Sequence, residues 1–375
     1  MSIIFFLGAT HGLILTFLLA NKKVNQLSNR LLSALILLFT IDLVMAALLN
    51  IGFHKEYPHI IGLDFSVTLL YGPLLYLYSE TLIKGSKKLS LAQKKHFIPF
   101  VILTLYFLPF YFNSGEVKLS LINENGELQY GSSWLTHFKV VYNLAYLPFI
   151  IFDLYRYRKK VRANYSTLDK RNLDWLQGFV FAGTLLGITA GLLYTISSFS
   201  DILSEYTSFT LLASTVFVYS IGYMGFKQAE FFTVVQPEEL TSNQNSELSS
   251  KSYSRSGLSE DVGRELHERL CELMKNEKPY LRSDLSLAEL AKMMNISTHY
   301  LTEVINKYAD KSFYDFVNSY RIENVKRAIA NPEYQNYTLL GIGLESGFNS
   351  KSSFNSVFKK HTGLTPSQYK KSLEI

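Results

Sequence analysis

Residues 286–307 read SLAELAKMMNISTHYLTEVINK. Ser286 and Glu289 have the spacing of a capping box at the start of a helix, and the apolar residues that follow recur at helical intervals of three and four. Asn295 then stands where a tight turn needs a residue that tolerates positive φ. Ser297 can cap a second helix, because its hydroxyl can accept a bond from the first turn. The stretch predicts two helices joined by a short turn.

The same arrangement returns near the end of the chain. Gly347 aligns with Asn295 at the turn, and Gly343 aligns with Ala291 in the helix before it. A small residue suits that position because two helices crossing at roughly 100° behind a short turn approach each other closely. The helix-turn-helix units are predicted over about 286–308 and 338–361.

A long helix is predicted between the two units. Ser312 and Asp315 form another capping pattern at its start, and Asn331-Pro332 ends it. Two helix-turn-helix units can place their second, recognition helices in successive major-groove segments about one helical turn apart. A further helix from Ser259 to Lys275 precedes the first unit, so the predicted domain covers 258–375.

The C-terminal unit carries a specific family resemblance. The stretches GFNSKSSF, residues 347–354, and FKKHTGLTPSQY, residues 358–369, are similar to the C-terminal signature of the AraC/XylS family of transcription regulators. The resemblance covers about the last 100 residues. It implies a double helix-turn-helix fold and double-stranded promoter DNA as the partner.

The resemblance also assigns roles to residues of the two recognition helices. Asn pairs with adenine, Lys with guanine, and Ser or Thr with several base edges, whereas other Lys side chains contact phosphates and position the protein. The residues implied to read bases are Thr298, His299, Thr302, Glu303, Ser350, Lys351, Ser352 and Asn355. The residues implied to contact phosphate are Lys307, Lys359, Lys360 and His361. For Arg321 and Lys326, on the connecting helix, a solvated or salt-bridged role is expected.

Two residues depart from the family pattern. Ser356 stands where the family commonly has Arg, and Glu303 stands where Arg or Gln is more usual. Residues 258–375 also sum to a net charge of about +1, which is low for a nucleic-acid-binding domain. We therefore expect modest affinity per monomer, with a homodimer or clustering in the membrane supplying avidity.

The first 228 residues have a different composition. They carry 19 Lys and Arg against 12 Asp and Glu, whereas residues 229–375 carry 18 against 19. Almost all long apolar runs lie in the first part, and seven of them approach the roughly 20 residues that a membrane span needs. The seven predicted spans are Ile3 to Ala20, Leu31 to Ile51, Ile60 to Ile83, His96 to Phe112, Trp134 to Tyr155, Leu173 to Phe199 and Tyr206 to Phe226.

Positive charge in the short loops predicts the orientation. The first, third and fifth loops hold 15 Lys and Arg, whereas the alternate loops hold only Lys55 and Lys118. We expect the N-terminus outside, the odd loops in the cytoplasm and the chain beyond 228 in the cytoplasm. Residues 229–257, rich in Ser, Glu, Gln and Asn, are predicted to be a polar, flexible linker.

Ionisable residues within apolar spans are costly and therefore candidates for function. The sequence places four of them at comparable or outward depths, namely His11, Asp42, Asp64 and Lys139. They predict a pocket that opens outward and receives a signal from outside or from the lipid. A structural polar pair with residues at the membrane interface is the alternative.

Several function classes find no support in the sequence. The single cysteine, Cys271, excludes a disulfide framework and a cysteine-based zinc cluster. No H-E-x-x-H, phosphate-binding G-x-x-x-x-G-K-[ST] or G-x-S-x-G pattern occurs. We expect no enzymatic activity, no cofactor and no metal.

These observations predict an all-α protein, a seven-helix transmembrane bundle with a cytoplasmic double helix-turn-helix domain. Its expected function is that of a bacterial inner-membrane, one-component transcription regulator. Signal transfer is expected through the seventh helix, the linker and the helix at 259–275. The alternatives are a receptor-like membrane protein whose cytoplasmic domain binds a protein partner, and a transporter or membrane enzyme with an appended regulatory domain.

Overall fold

The computed structural model describes residues 2–122, 132–168, 173–197, 206–231 and 258–373. Over these ranges the chain is helical almost throughout and forms no strand, apart from isolated bridges such as the antiparallel one between Tyr165 and Ser286. The all-α prediction is confirmed for the described residues. Residues 232–257 of the predicted linker lie outside them.

The chain divides into two compact units. The first comprises Met1–Tyr155 and Leu173–Val234, and the second comprises Arg156–Asn172 and Val235–Ile375. The second unit therefore includes a segment that is distant in sequence from the helix-turn-helix domain.

The helices of the first unit are mostly long and apolar, with short connecting turns. In chain order they are α1 Ser2–Ala20, α2 Gln26–Asn50, α3 Phe53–Glu56, α4 Tyr71–Lys84, α5 Leu91–Lys94, α6 Ile98–Tyr111, α7 Gly115–Ser120, α8 Ser132–Leu144, α9 Leu147–Asn164, α10 Asp174–Ser197 and α11 Tyr206–Phe231. Helix α2 packs against α1, α4 and α11, and α10 packs against α8 and α11. The residues of α9 from Arg156 onward belong to the second unit.

Four helical stretches of the described residues are long and apolar enough to cross a membrane. They are Ile3–Ala20, Gln26–Asn50, Trp134–Asn164 and Asp174–Leu193. Two other predicted spans are not continuous helices of that length. In the third, a 3₁₀ turn over Val67–Leu70 precedes α4, and the fourth is reduced to α6, each helix having 14 residues.

Prolines account for much of this segmentation. Pro73, Pro99 and Pro148 all lie in the first turn of a helix, where the missing N–H has no intrahelical partner to lose. Pro109 lies inside α6, two residues before its last residue. Three of these four prolines therefore lie where helices begin and do not interrupt them.

The helices of the second unit beyond α9 are short and amphipathic. They are α12 Glu260–Asn276, α13 Leu287–Met293, α14 Thr298–Ala309, α15 Phe313–Ala330, α16 Leu339–Glu345, α17 Lys351–Thr362 and α18 Pro366–Leu373. The ranges predicted for the helix-turn-helix units, the long helix between them and the helix at 259–275 agree with these limits to within one residue. No prediction was made for α18. Ser259 precedes α12 but its side chain makes no capping hydrogen bond.

Two hydrophobic clusters form the core of this unit. One gathers residues of α12, α13 and α14, and the other gathers residues of α16 and α17. Helix α15 contributes to both, with Phe316 and Val317 in the first and Ile322 and Val325 in the second. The connecting helix is therefore the shared wall of the two halves.

Candidate nucleic-acid interface

The first helix-turn-helix unit is held by caps on both of its helices. Ser286 Oγ accepts the backbone N–H of Glu289, whose carboxylate accepts the backbone N–H of Ser286 at 2.8 Å. Burial raises the pKa of Glu289, but these bonds and Arg282 outweigh it and hold that pKa below its usual value. Ser297 Oγ accepts from the N–H of Tyr300. Asn295 in the turn has φ of +56°, as predicted.

The second helix-turn-helix unit is capped in the same way. Ser350 Oγ accepts the backbone N–H of Ser353 at the start of α17, and Gly347 in the turn has φ of +93°. A Cβ at Gly343 would lie 2.8 Å from the ring of Phe354, so the close helix approach predicted there is real. The two helix-turn-helix units thus share the same caps and the same kind of turn.

The residues predicted to read bases lie on or just before the N-terminal halves of the two recognition helices. On α14, His299 is exposed, while Thr298, Thr302 and Glu303 are half-buried. At α17, Lys351 and Ser352 are exposed, whereas Ser350 and Asn355 are half-buried. In both recognition helices these residues lie at the N-terminal end and differ in exposure. Their contacts with bases stay predictions.

The residues predicted to contact phosphate differ in how free they are to do so. Lys307 and Lys359 are exposed, and so is Lys360, but Lys360 Nζ donates to Asp315 Oδ1 at 2.8 Å. His361 is exposed, yet the remaining desolvation of its ring and the charge of Lys360 lower its pKa. A neutral imidazole at pH 7 is a weaker phosphate partner than a lysine, so Lys307 and Lys359 are the better candidates.

Asp315 organises the charge around the end of α17. Burial raises the pKa of its carboxyl, but hydrogen bonds from Lys360 and Ser312 and the charges of Lys360 and Arg162 outweigh this, so the pKa lies below its usual value. Arg162 Nη2 is 3.9 Å from Asp315 Oδ1. A DNA phosphate has to compete with this carboxylate for Lys360.

The expected solvated or salt-bridged role of Arg321 is wrong. Arg321 has no exposed surface, and its guanidinium donates to the carbonyl oxygens of Tyr280 and Arg282, each at 2.7 Å. Lys326 does form the expected ion pair, with Glu323 at 2.9 Å. Arg321 recurs at helical intervals with buried Val317 and Val325, so hydrophobic periodicity already placed it on the inner face of α15.

A segment that sequence reasoning missed also contacts this helix. Tyr165, Ser166 and Thr167 are buried, and Ser166 exchanges hydrogen bonds with α15 and with the residues just before α13. In the sequence these residues form part of a basic loop between two apolar runs, and no local signal distinguishes them.

The four residues predicted to line a signal pocket are brought together only in part, and the pocket itself stays a prediction. In the first unit, Asp42, Asp64 and Lys139 lie close enough to interact electrostatically, and Tyr71 donates its hydroxyl to Asp42. His11 is exposed, and its ring packs edge-on against Tyr219, with centroids 5.3 Å apart. Three of the four residues thus form one cluster, and His11 belongs to another contact.

Comparison with known proteins supports the helix-turn-helix architecture of the C-terminal region. Residues 290–372 match a family model described as a helix-turn-helix domain. An uncharacterized HTH-type transcriptional regulator of Staphylococcus aureus (strain COL) is 34% identical over 91 residues, which are 24% of this chain and 12% of that protein. The melibiose operon regulatory protein of Escherichia coli (strain K12) is 25% identical over 87 residues, 23% of this chain and 28% of that protein. The C-terminal region is therefore an AraC-type helix-turn-helix domain.

Two solved structures resemble part of the chain. A protein of unknown function from Listeria innocua shares 27% identity, covering 28% of this chain and 93% of that one, with a TM-score of 0.25. The C-terminal domain of AraT, a response regulator from Geobacillus stearothermophilus, shares 24% identity, covering 31% and 88%, with a TM-score of 0.25. The matched stretch spans about an eighth of the length of the first staphylococcal relative.

Proposed function

We propose that the chain is a membrane-bound, one-component transcription regulator that binds promoter DNA through its double helix-turn-helix domain. The observation that carries the proposal is the repeated unit, in which α14 and α17 are both second helices and α15 is common to both cores. This arrangement suits two recognition helices entering successive major-groove segments of one duplex. The chain then acts without an enzymatic step or a cofactor.

We extend the membrane part of this proposal to seven spans in a bacterial inner membrane. Helices α4 and α6, with 14 residues each, extend about 21 Å at 1.5 Å per residue, which is less than the roughly 30 Å of a hydrocarbon core. The 3₁₀ turn at Val67–Leu70 brings the third span to about 29 Å, whereas α6 can span only where the bilayer thins around it. The excess of Lys and Arg in alternate loops supports an external N-terminus and a cytoplasmic C-terminal domain. Reporter fusions in each loop test this topology, and an N-terminus on the cytoplasmic side refutes it.

The sensing part of the proposal rests on the cluster of Asp42, Asp64 and Lys139. Charged groups at this depth in a helical bundle favour a polar ligand or a lipid headgroup. We expect Asp42→Asn to abolish the response of promoter output to its signal while the protein still inserts normally. An unchanged response in that variant removes the support for a sensing pocket.

DNA binding is tested by the salt dependence of duplex affinity for the full chain in lipid nanodiscs. For each phosphate that the protein no longer neutralises, the slope of log affinity against log salt falls by about 0.9. We expect Lys359→Ala to reduce the slope by about this amount and Lys360→Ala by less, because Lys360 is held by Asp315. Lys275→Ala, an exposed lysine at the end of α12, is the matched control and leaves the slope unchanged.

A protein partner in place of DNA is the second candidate function. It is favoured by Glu303, whose half-buried carboxylate on α14 repels phosphates unless it accepts from a cytosine amino group. Absence of duplex binding at low salt supports this alternative and refutes the first. Substrate-dependent flux through the membrane part supports the transporter alternative instead.

A further inference from the structure

Residues 162–168, which we call the docking segment, are seated on the DNA-binding domain within the second unit. Ser166 donates its backbone N–H to the carbonyl of Leu285 at 3.2 Å and its hydroxyl to the same oxygen at 2.7 Å. An antiparallel bridge joins Tyr165 to Ser286. Leu168 packs on the cluster formed by α16 and α17. The segment therefore contacts both helix-turn-helix halves.

Arg321 lies where these two halves and the docking segment meet. Its Nη1 donates to the Ser166 carbonyl at 3.0 Å and its Nη2 to the Ser166 hydroxyl at 3.1 Å. Its Nε donates to the carbonyl of Tyr280, which lies just before the first helix-turn-helix unit. Gly347, the turn glycine of the second helix-turn-helix unit, lies so close to Arg321 that a Cβ there would be 2.9 Å from Nε. The Arg321 side chain thus joins the two helix-turn-helix units and the docking segment.

The burial of Arg321 makes the docking segment necessary. A guanidinium with no exposed surface loses its hydration and needs a partner for each donor. Its described partners are backbone carbonyls, the Asn318 side chain and Ser166, and none of the described carboxylates forms an ion pair with it. Burial accordingly lowers the pKa of Arg321 to about 10. Removing Ser166 leaves a buried cation with unmet donors or admits water between the halves.

A second anchor lies at the other end of the docking segment. The Arg162 guanidinium is 3.9 Å from Asp315, the carboxylate that also holds Lys360 of α17. The same guanidinium lies over the ring of Tyr314, 5.1 Å from its centroid. Both ends of the docking segment therefore bear on α15, the wall shared by the two halves.

The position of the docking segment in the sequence determines what it can transmit. Its first three residues are the last of α9, and only a few residues separate it from α10. Both helices belong to stretches apolar enough to cross a membrane. A flexible polar coil tethers a domain without passing on a rotation. A short, hydrogen-bonded connection passes on displacement.

We propose that the docking segment is the input of the DNA-binding domain, seating between the two helix-turn-helix halves and fixing their relative orientation through Arg321. Resting on the proposed function, this inference assigns signal transfer to the loop at 162–168 and not to the seventh helix and linker. Docked, the two recognition helices keep the spacing that a single duplex requires; released, each half binds independently.

The test uses the full chain in nanodiscs of phosphatidylethanolamine and phosphatidylglycerol. Ser166→Pro removes the N–H bond to Leu285 and releases the segment, whereas Ser166→Ala removes only the two hydroxyl bonds. Asn164→Ala is the matched control, because among the described residues that side chain bonds only to the Lys160 carbonyl of its own helix. Hydrogen exchange of the Ser166 amide is measured first. We expect protection of the Ser166 amide in the native chain and in Asn164→Ala, and partial loss in Ser166→Ala. Ser166→Pro has no amide at that position, so its release is measured at Tyr165 and Thr167, which are buried in the native chain and should exchange fully.

DNA affinity is then compared on random duplexes of about 12 and about 24 base pairs, since one half covers about one helical turn and both together cover two. We expect the native chain to bind the longer duplex roughly tenfold more tightly, and Ser166→Pro to lose most of that advantage with little change on the shorter one. An unprotected Ser166 amide in the native chain overturns the docking. An unchanged length preference in Ser166→Pro, with the segment released, overturns its role as input. Failure of the native chain to bind either duplex refutes the proposed DNA-binding function, and with it this input role, while the exchange measurement still decides whether the segment docks.

Discussion

The turn of the second helix-turn-helix unit offers a sharp test of how the two halves are joined. Gly347 has φ of +93°, and a Cβ added there would lie 2.3 Å from the carbonyl oxygen of Tyr280 and 2.9 Å from Nε of Arg321. The first is a backbone atom and the second belongs to a fully buried side chain, so neither can move aside as the end of a flexible side chain could. Gly347→Ala therefore forces apart the second turn and the entry to the first unit.

The cost of Gly347→Ala has two parts. An L-residue in the left-handed region costs about 1–2 kcal/mol. Displacing Tyr280 from Arg321 breaks a 2.7 Å hydrogen bond to a buried cation, and a bond to a charged group contributes about 1.5–3 kcal/mol. The sum, about 2.5–5 kcal/mol, is a large share of the roughly 5–15 kcal/mol that stabilises a typical domain.

Gly363→Ala is the matched control for this change. Gly363 also has positive φ, +77°, but a Cβ added there would have no described atom within 4 Å apart from its own chain neighbours. It should cost only the backbone strain. Native-state hydrogen exchange of the amides of Val317 and Val325 in α15, measured in the full chain, compares the two. At 1.4 kcal/mol per tenfold, Gly347→Ala should speed exchange roughly 10- to 100-fold more than Gly363→Ala. Equal effects would falsify the argument that Arg321 joins the halves at this turn.

Three further changes test single contacts. Ser297→Ala removes the cap on the Tyr300 N–H and should destabilise the first unit by about 1 kcal/mol, seen as faster exchange at the start of α14. Gly343→Ala places a methyl 2.8 Å from the Phe354 ring and should cost about 1–3 kcal/mol in urea unfolding; a neutral result contradicts the close packing. Because the pKa of Asp315 is lowered on folding, its stabilising contribution should be complete above the unfolded value of about 3.9 and vanish as pH falls through the folded value. Asp315→Asn should flatten that part of the pH–stability curve, and an unchanged curve excludes the carboxylate as its source.

Much of the helix-turn-helix domain could be predicted from the sequence because its signals are local. Ser286, Ser297 and Ser350 cap the helices they precede, and each lies within a few residues of the group it bonds. Asn295 and Gly347 have the positive φ that their turns need. Caps and turns depend on neighbours in sequence, so a single sequence is enough to place them.

The apolar half was less predictable in detail. A run of apolar residues indicates burial or membrane insertion, but a continuous run is compatible with a broken helix. The third predicted span contains Gly62, with φ of +83°, and Pro73 at the start of α4, and its helix covers only the second part of the run. Hydropathy averages over such breaks, whereas backbone geometry does not.

The role of Arg321 was misassigned for a different reason. Charged residues are almost never fully buried unless paired, and a solvated or salt-bridged role was therefore expected of Arg321. Its partners Tyr280 and Ser166 are 41 and 155 residues away. No local pattern reports contacts of that range.

A buried cation without a carboxylate partner is a poor source of stability, because its desolvation opposes the hydrogen bonds it gains. Its value lies in geometry: the guanidinium offers five donors in a rigid planar fork, and the described bonds direct them at Tyr280, Arg282, Asn318 and Ser166. These partners come from the entry to one unit, the connecting helix and the docking segment. Because the guanidinium is rigid, moving any one of these partners changes the geometry of its hydrogen bonds to the others. A site where a signal enters a DNA-binding domain requires this coupling.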